Sequence, residues 1–267
     1  RLRRHHWLDP AMPAPYDCYL LCSTPRSGST LLCDLLAATA GAGTPDSFFM
    51  ADVDPVWAAE WGLPPETDRG TPSHARAMLA AARTAGRGAG GICGIRLMQD
   101  SLARLMALID LAHPGQACDL DRLQAAFGRV LCIHLTRPDK LAQAISLVKA
   151  EQTGLWHAAP DGTEVERLAP PQPPAYDFAR IKARLDGLER AEAAWRAWFR
   201  DQRITPLTID YDALSARPAD AVRRICAALG LPAPPDGLRP GLARLADAVS
   251  RDWHARFRAE TRAEHGA

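Results

Sequence analysis

Tyr19-Leu20-Leu21-Cys22-Ser23-Thr24-Pro25-Arg26-Ser27-Gly28-Ser29-Thr30-Leu31-Leu32 is the stretch from which the rest of the chain is read. It opens in an apolar run, Cys18 to Cys22, of buried-strand length. A polar turn containing Pro25 and Gly28 follows. Beyond it, Leu31, Leu32, Leu35 and Leu36 recur at helical spacing. The pattern predicts strand, loop, helix, with a loop rich in hydroxyls and carrying one fixed positive charge.

Such a loop favours an anion. Ser27 is expected to cap the helix, whose first turn presents unpaired backbone N–H groups and the positive end of the macrodipole. Gly28 lets the backbone come close to a ligand. Ser29 and Thr30 add hydroxyl donors, and the Arg26 guanidinium offers a planar fork suited to phosphate or sulfate oxygens. A nucleotide-triphosphatase loop needs Gly, four residues, then Gly-Lys-Ser/Thr. This loop is shorter and has no Lys before Ser29-Thr30, which argues against a kinase or ATPase.

Composition narrows the class. The chain has 267 residues, enough for one large α/β domain. Its 32 basic and 31 acidic residues leave a net charge of +1, which gives no footprint for nucleic acid. No apolar run approaches a membrane span, and the basic start Arg1–Leu8 lacks the apolar core of a signal peptide. Of the seven cysteines, Cys18, Cys22, Cys33, Cys93, Cys118, Cys132 and Cys226, no two have C-x-x-C spacing. That argues against zinc and for a reduced, cytoplasmic protein without a metal.

Taken in order, residues 1–15 read as an extension, residues 16–258 as a single domain and residues 259–267 as a tail. Trp57 and Trp61 fall four apart on a short helix and read as core. His74–Thr84 is a predicted helix. Ile92–Met98 is a predicted strand with Arg96 inside it, a charge that must find a partner or an anion. Arg129–Leu135 is a further strand, and its His134 reads as a satisfied core residue. Residues 158–175, with five prolines, read as a long flexible loop. A long amphipathic helix is expected over Tyr176–Arg200, a strand at Pro206–Tyr211, a helix at Ala219–Leu229 and a last helix from Gly241 to about Phe257. Alternating strands and helices predict an α/β fold, a parallel sheet covered by helices on both faces. Ligands of such sheets sit at the carboxyl ends of the strands, where Arg26 and Arg137 both fall.

"STPRSGSTLL" resembles the "S-x-R-S-G-S-T-L-L" 5′-phosphosulfate loop of the bacterial trehalose sulfotransferase family. The second matching segment begins at Arg137-Pro138-Asp139 and includes Ser146. It resembles the 3′-phosphate site of sulfotransferases, where an Arg after a strand and a Ser on the next helix share one phosphate. The similarity continues through Ser146–Trp156, close to the family's "S-x-x-R-A-x-Q-T-x-x-W". With "GIRLM", "AWRAWF" and Asp252–Phe257, it spans roughly residues 17–257. Ser146 follows Arg137 by nine residues, about 13 Å if all were helical, so one phosphate can serve both only if the helix begins near Lys140 or Arg137 folds along it.

The resemblance implies a P-loop-like sulfotransferase fold, 3′-phosphoadenosine 5′-phosphosulfate (PAPS) as donor, and a hydroxyl on a carbohydrate, glycolipid or other small molecule as acceptor. It also implies a homodimer. Arg26, Ser27, Gly28, Ser29 and Thr30 would hold the 5′ end, with Arg26 also catalytic, and Arg137 and Ser146 the 3′-phosphate. In the family a Glu in "P-x-E-F-F" is the base. Here the string is Pro45-Asp46-Ser47-Phe48-Phe49, so Ser47 holds the family's catalytic base position and Asp46, the adjacent carboxylate, is the candidate base. Arg96 replaces a family Lys, and Pro25 replaces a Gln implicated in trehalose binding. Pro25, Asp46, Ser47, Phe48, Phe49 and Arg96 are thus the expected acceptor side, and trehalose is not the expected acceptor. The missing Glu leaves a second reading open, a catalytically weak relative that binds nucleotide as a regulatory protein.

Overall fold

The apolar run of the opening stretch forms β1 (Cys18–Ser23), buried at every residue. The computed structural model describes residues 15–50, 55–63, 70–88, 91–235, 237–243 and 245–266. After β1 come α1 (Ser29–Ala37), α2 (Pro55–Glu60), α3 (Pro72–Arg87), β2 (Cys93–Met98), α4 (Leu102–Ala112), α5 (Asp119–Phe127) and β3 (Val130–Thr136). The chain continues through α6 (Lys140–Thr153), β4 (Leu155–Ala158), β5 (Glu164–Arg167), α7 (Phe178–Asp201), β6 (Leu207–Asp210), α8 (Tyr211–Ala216), α9 (Pro218–Leu229) and α10 (Ala248–Gly266).

The main sheet has the order β2-β1-β3-β6 and its pairings are parallel. Side chains of a strand alternate between faces. Cys18, Leu20 and Cys22 accordingly enter a core with α3, α4, α5 and α7, while Tyr19 and Leu21 pack with α1 and α9. That two-sided burial is why β1 is a continuous apolar run rather than an alternating one. A third cluster joins α6, α7 and α10 through Ile145, Val148, Ile181, Leu188, Trp253 and Phe257. Trp195 of α7 is fully buried and its indole N–H donates to the Ser23 carbonyl at 2.9 Å, tying α7 to the end of β1. None of the described helices is long and apolar enough to cross a membrane. The seven cysteines are free thiols.

Several local expectations are corrected. Ser27 does not cap α1. Gly28 takes the cap position at φ 91°, with no side-chain cap bond, and Ser27 turns inward and is fully buried. Phe48 and Phe49 are core residues, edge-on to Trp61 and Phe127 at 5.6 and 6.3 Å between ring centres. The stretch 158–175 is not all loop. β4 and β5 pair antiparallel around a turn in which the Asp161 carboxylate accepts from the Thr163 N–H at 2.9 Å. Only one apolar residue, Val165, stands in β5, so no strand periodicity was visible there. The last helix starts at Ala248 and runs through Gly266, over residues read as a tail. Residues 1–14 and the side chain of Trp57 lie outside the described residues.

Candidate active site

β1 has β2 on one side and β3 on the other, so the chain leaves its carboxyl end where the strand order reverses. Crevices form at such points. Here the crevice is a cleft of about 1750 Å³. A pocket for one small ligand has roughly 300–1,000 Å³, so this one has room for two reactants.

The loop after β1 is held in an unusual shape. Arg26 has φ 62°, a left-handed conformation that non-glycine residues rarely adopt. Gly28 follows at φ 91°, and a Cβ there would lie 2.6 Å from Cδ2 of Tyr211. Only glycine allows both the turn and the ring. Gln143, fully buried on α6, pins the loop from behind by donating to Thr24 Oγ1 at 2.9 Å and to the Pro25 carbonyl at 2.6 Å. The Ser27 hydroxyl is buried with no hydrogen-bond partner among the described residues. The first turn of α1 lacks a side-chain cap, which leaves its N–H groups available to an incoming acceptor.

Two guanidiniums face this loop. Arg26 donates through Nε to Ser146 Oγ at 3.1 Å and through Nη1 to the Trp156 carbonyl at 2.6 Å. Arg137 is buried, donates to the Arg26 carbonyl at 3.2 Å and stands 4.5 Å over the Tyr211 ring. Burial, and then the neighbouring Arg137 charge, hold Arg26 below the usual arginine value. The helix that carries Ser146 begins at Lys140, capped by the Asp139 carboxylate on the Ala142 N–H at 2.9 Å. Six helical residues rather than nine then separate Lys140 from Ser146, about 9 Å of rise. Arg26 itself reaches Ser146, so the two expected anion subsites share a wall.

Beneath the Arg137 turn lies a buried acid. Glu192 of α7 accepts from Thr136 Oγ1 at 2.9 Å and Lys140 Nζ at 3.1 Å, and the His134 ring nitrogen is 3.3 Å away. Burial pushes its carboxyl up, but hydrogen bonds and charge from His134 and Lys140 outweigh burial and bring it down to about 2. His134 is a core residue as its apolar strand predicts, tilted against Phe199 at 5.2 Å between ring centres, but its Nε2 has no well-formed hydrogen bond among the described residues.

The other end of the cleft is built around Arg96. It donates from Nε to Ser47 Oγ at 2.7 Å, from Nη1 to Thr30 Oγ1 at 2.8 Å and from Nη2 to an Asp46 carboxylate oxygen at 2.9 Å. The same Asp46 oxygen accepts the Ser47 N–H at 2.7 Å. The charge inside β2 thus finds three partners and fastens the residue 46–47 segment to the first turn of α1. Ser47 lines the cleft; Asp46 does not. Opposite them stands His157 on β4, its Nε2 3.1 Å from Thr30 Oγ1 and 3.4 Å from Glu166 on β5. Burial, then the charges of Arg26 and Arg96, lower its pKa to about 4, so the ring is neutral at pH 7.

Of the residues expected from the sequence, Pro25, Arg26, Gly28, Ser29, Thr30, Ser47, Arg96, Arg137 and Ser146 line one cleft. Phe48 and Phe49 do not, and Asp46 stands behind Arg96. Tyr211, Gln143, His157 and Glu166 were missed. Gln143 lies inside the quoted Arg137–Ser146 segment, and His157 directly follows the segment that ends at Trp156. Neither position stands out by residue type. Among the described residues no three His, Cys, Asp or Glu side chains converge as metal ligands.

Known proteins resemble this chain over most of its length. The family model described as Stf0 sulphotransferase matches residues 18–260. A trehalose 2-sulfotransferase of Mycobacterium tuberculosis is 33% identical over 266 residues, covering 91% of this chain and 94% of that protein. One of the same name from Mycolicibacterium smegmatis is 31% identical, over 90% and 94%. Among solved structures, the sulfotransferase domain of the Synechococcus PCC 7002 olefin synthase is 17% identical with a TM-score of 0.44, covering 95% of this chain and 91% of that one. A sulfotransferase from Alicyclobacillus acidocaldarius is 13% identical with a TM-score of 0.40, covering 93% of each. With the match running over nearly all of the sheet and its cleft, the chain belongs to the Stf0 sulphotransferase family and is a sulfuryl-transferring enzyme.

Proposed function

We propose that the cleft takes PAPS as sulfuryl donor and passes the group to a hydroxyl of a carbohydrate, glycolipid or other small acceptor. The observation that carries this is the pair of guanidiniums, Arg26 and Arg137, brought close at the ends of adjacent strands. Two neighbouring cations suit a ligand with several negative charges. The uncapped start of α1 fits an anionic oxygen at the 5′ end, whereas the Ser27 hydroxyl faces inward, away from the cleft. Arg137 and Ser146 fit the 3′-phosphate, with Arg26 between the two ends.

In such a transfer, charge grows on the oxygen that leaves sulfur. The α1 N–H groups, the Ser29 and Thr30 hydroxyls and Arg26 would stabilise that charge, and their preset positions spare reorganisation during the reaction. The resemblance to trehalose 2-sulfotransferases makes a sugar hydroxyl a natural acceptor. Pro25 and Ser47, which stand where the family has Gln and Glu, set this acceptor side apart, so the sugar need not be trehalose.

A thermal-shift panel tests the donor. Two anion subsites demand phosphate at both ends of the nucleotide. 3′,5′-Bisphosphoadenosine is therefore expected to stabilise the protein more than AMP or ATP at equal concentration. Equal shifts from ATP would contradict the assignment.

A further inference from the structure

We propose that His157 is the general base of the transfer, taking the acceptor's hydroxyl proton on Nε2. The inference rests on the sulfuryl-transfer reading of the same cleft and supplies the proton acceptor that reading lacks.

A base is needed because an alcohol oxygen attacks sulfur well only as its proton leaves. Three groups near the acceptor end deserve comparison. Ser47 is a hydroxyl that already accepts from Arg96 Nε, and a hydroxyl takes up no proton near pH 7. Asp46 is a carboxylate, but one oxygen is shared between Arg96 Nη2 and the Ser47 N–H, and the residue is not part of the cleft wall. His157 lines the cleft and stands beside Thr30, in the first turn of the donor-binding helix.

The tautomer belongs to the assignment. Arg96 can only donate, so its Nη1 occupies one of the two lone pairs of Thr30 Oγ1. In this assignment the Thr30 hydroxyl donates to His157 Nε2, 3.1 Å away, and the ring proton sits on Nδ1. With the donor bound, Thr30 turns its hydroxyl to the leaving oxygen, and the acceptor hydroxyl takes its place at Nε2. The groups that face the ring are Arg26 from the loop after β1, Thr30 from α1, Arg96 from β2 and Glu166 from β5. The two guanidiniums and burial favour the neutral ring, and half-exposed Glu166 does not reverse this. A neutral imidazole is the form that can take a proton.

The step balances as follows. The acceptor oxygen forms a bond to sulfur, the bond from sulfur to the 5′-phosphate oxygen breaks, and the hydroxyl proton passes to Nε2. The products are the sulfate ester, 3′,5′-bisphosphoadenosine and one proton on His157. Glu166, 3.4 Å from Nε2, steadies the charged ring until the proton reaches solvent.

The test reads the ring directly and then the reaction. Nitrogen-15 NMR of the imidazoles, with and without 3′,5′-bisphosphoadenosine, identifies His157 among the eight histidines by its absence from His157→Ala. A neutral ring at pH 7 with its proton on Nδ1 is expected. A proton on Nε2, or a charged ring at pH 7, overturns the proposal whatever the acceptor. Transfer from labelled PAPS is measured with trehalose first, then with other sugars and glycolipids, using the acceptor the unaltered protein turns over. His157→Ala is expected to lower kcat by about 10²–10⁴-fold, with 3′,5′-bisphosphoadenosine affinity within a few fold and partial rescue by added imidazole. Turnover within threefold of the unaltered protein overturns the base assignment but leaves the donor site intact. A protein that does not bind the bisphosphate at all fails the donor reading instead.

Discussion

At one end of the cleft, Arg26 and Arg137 leave adjacent strands of a single sheet, a few residues beyond paired positions such as Cys22 and His134. At the other, Ser47, Arg96 and His157 come from a loop, an edge strand and a hairpin outside that sheet, and Thr30 and His157 are 127 residues apart in sequence. The first end is fixed by backbone register and by buried side chains: Gln143 behind one loop, Glu192 beneath the other. The second is fixed where the Arg96 N–H donates to the Asp46 carbonyl at 3.0 Å and where the Arg96 side chain reaches three partners. An anion-binding end built on backbone tolerates little change, whereas an end assembled by side chains can exchange its chemistry. The acceptor end carries the departures that the resemblance leads one to expect, Ser47 and Arg96, whereas the loop between β1 and α1 carries one, Pro25.

The comparison is most exposed at Glu192. Removing one member of a buried charged cluster leaves the others unpaired and costs about 3–5 kcal/mol. Glu192→Ala is expected to lose that order of stability by chemical denaturation, with nucleotide affinity falling because the Arg137 turn loosens. The pH dependence follows from the lowered carboxyl. A depressed folded-state pKa contributes stability that is fully present above the unfolded value of about 4.3. That stability is lost as pH falls through the folded value of about 2. Glu192→Gln should flatten this part of the acid unfolding profile. An unchanged profile would mean that the donor end is not held from below.

Arg137→Ala comes next. It removes one charge-assisted contact to the nucleotide, worth about 1.5–3 kcal/mol, or roughly 10- to 150-fold in affinity. Its stacking on Tyr211 is lost too, so a slightly lower melting temperature is expected while the fold survives. Calorimetry with 3′,5′-bisphosphoadenosine measures the affinity. An unaltered affinity in a folded variant would remove Arg137 from the site and with it the notion of two anion subsites.

How much of this was legible beforehand follows the same division. β1 and the loop after it could be read because each is a local string, and the physics of strand and charge acts over a few residues, whereas Arg137 with Ser146 was singled out by the resemblance to a family. The sheet's alternating order could be read because two-sided burial writes itself as apolar runs such as Cys18–Cys22. Ser27 was misassigned as a cap because its burial depends on Gly28 turning left-handed against Tyr211, a contact made from the far end of the sheet. Phe48 and Phe49 were expected on the acceptor side because nothing local shows that they pack against Trp61 and Phe127. His157 was passed over because β4 is only four residues long and its partner β5, with one apolar residue, shows no strand pattern. Residues placed by one element were legible, and residues given meaning by a second, distant element were not.

The smallest effect is expected at Asp46, and it is the one that most sharpens the contrast between the two ends. Asp46 is the carboxylate adjacent to the position where the resemblance expects a Glu, so from sequence it is a candidate base or a turn residue that caps the following segment. In the fold it is paired with Arg96, and its side chain keeps 44% of its exposure. An ion pair so exposed is worth about 1 kcal/mol or less. Asp46→Asn keeps an oxygen that can accept from Arg96 and from the Ser47 N–H, so the clamp should hold. Turnover is expected to fall by no more than about threefold, far from the ~10²-fold or greater loss that marks a base. Ser47→Glu offers the complement. A carboxylate there falls within reach of the Arg96 guanidinium that now donates to Ser47 Oγ at 2.7 Å. It should be held as an ion pair and bring no gain in rate while His157 is present. Combined with His157→Ala, the same Glu is the one substitution placed to restore part of the lost turnover, because it returns a proton acceptor to the family position. Steady-state rates of the two single variants and the double variant decide the matter. A hundredfold loss in Asp46→Asn, or a gain in Ser47→Glu alone, would move the base from the hairpin back to the loop after α1.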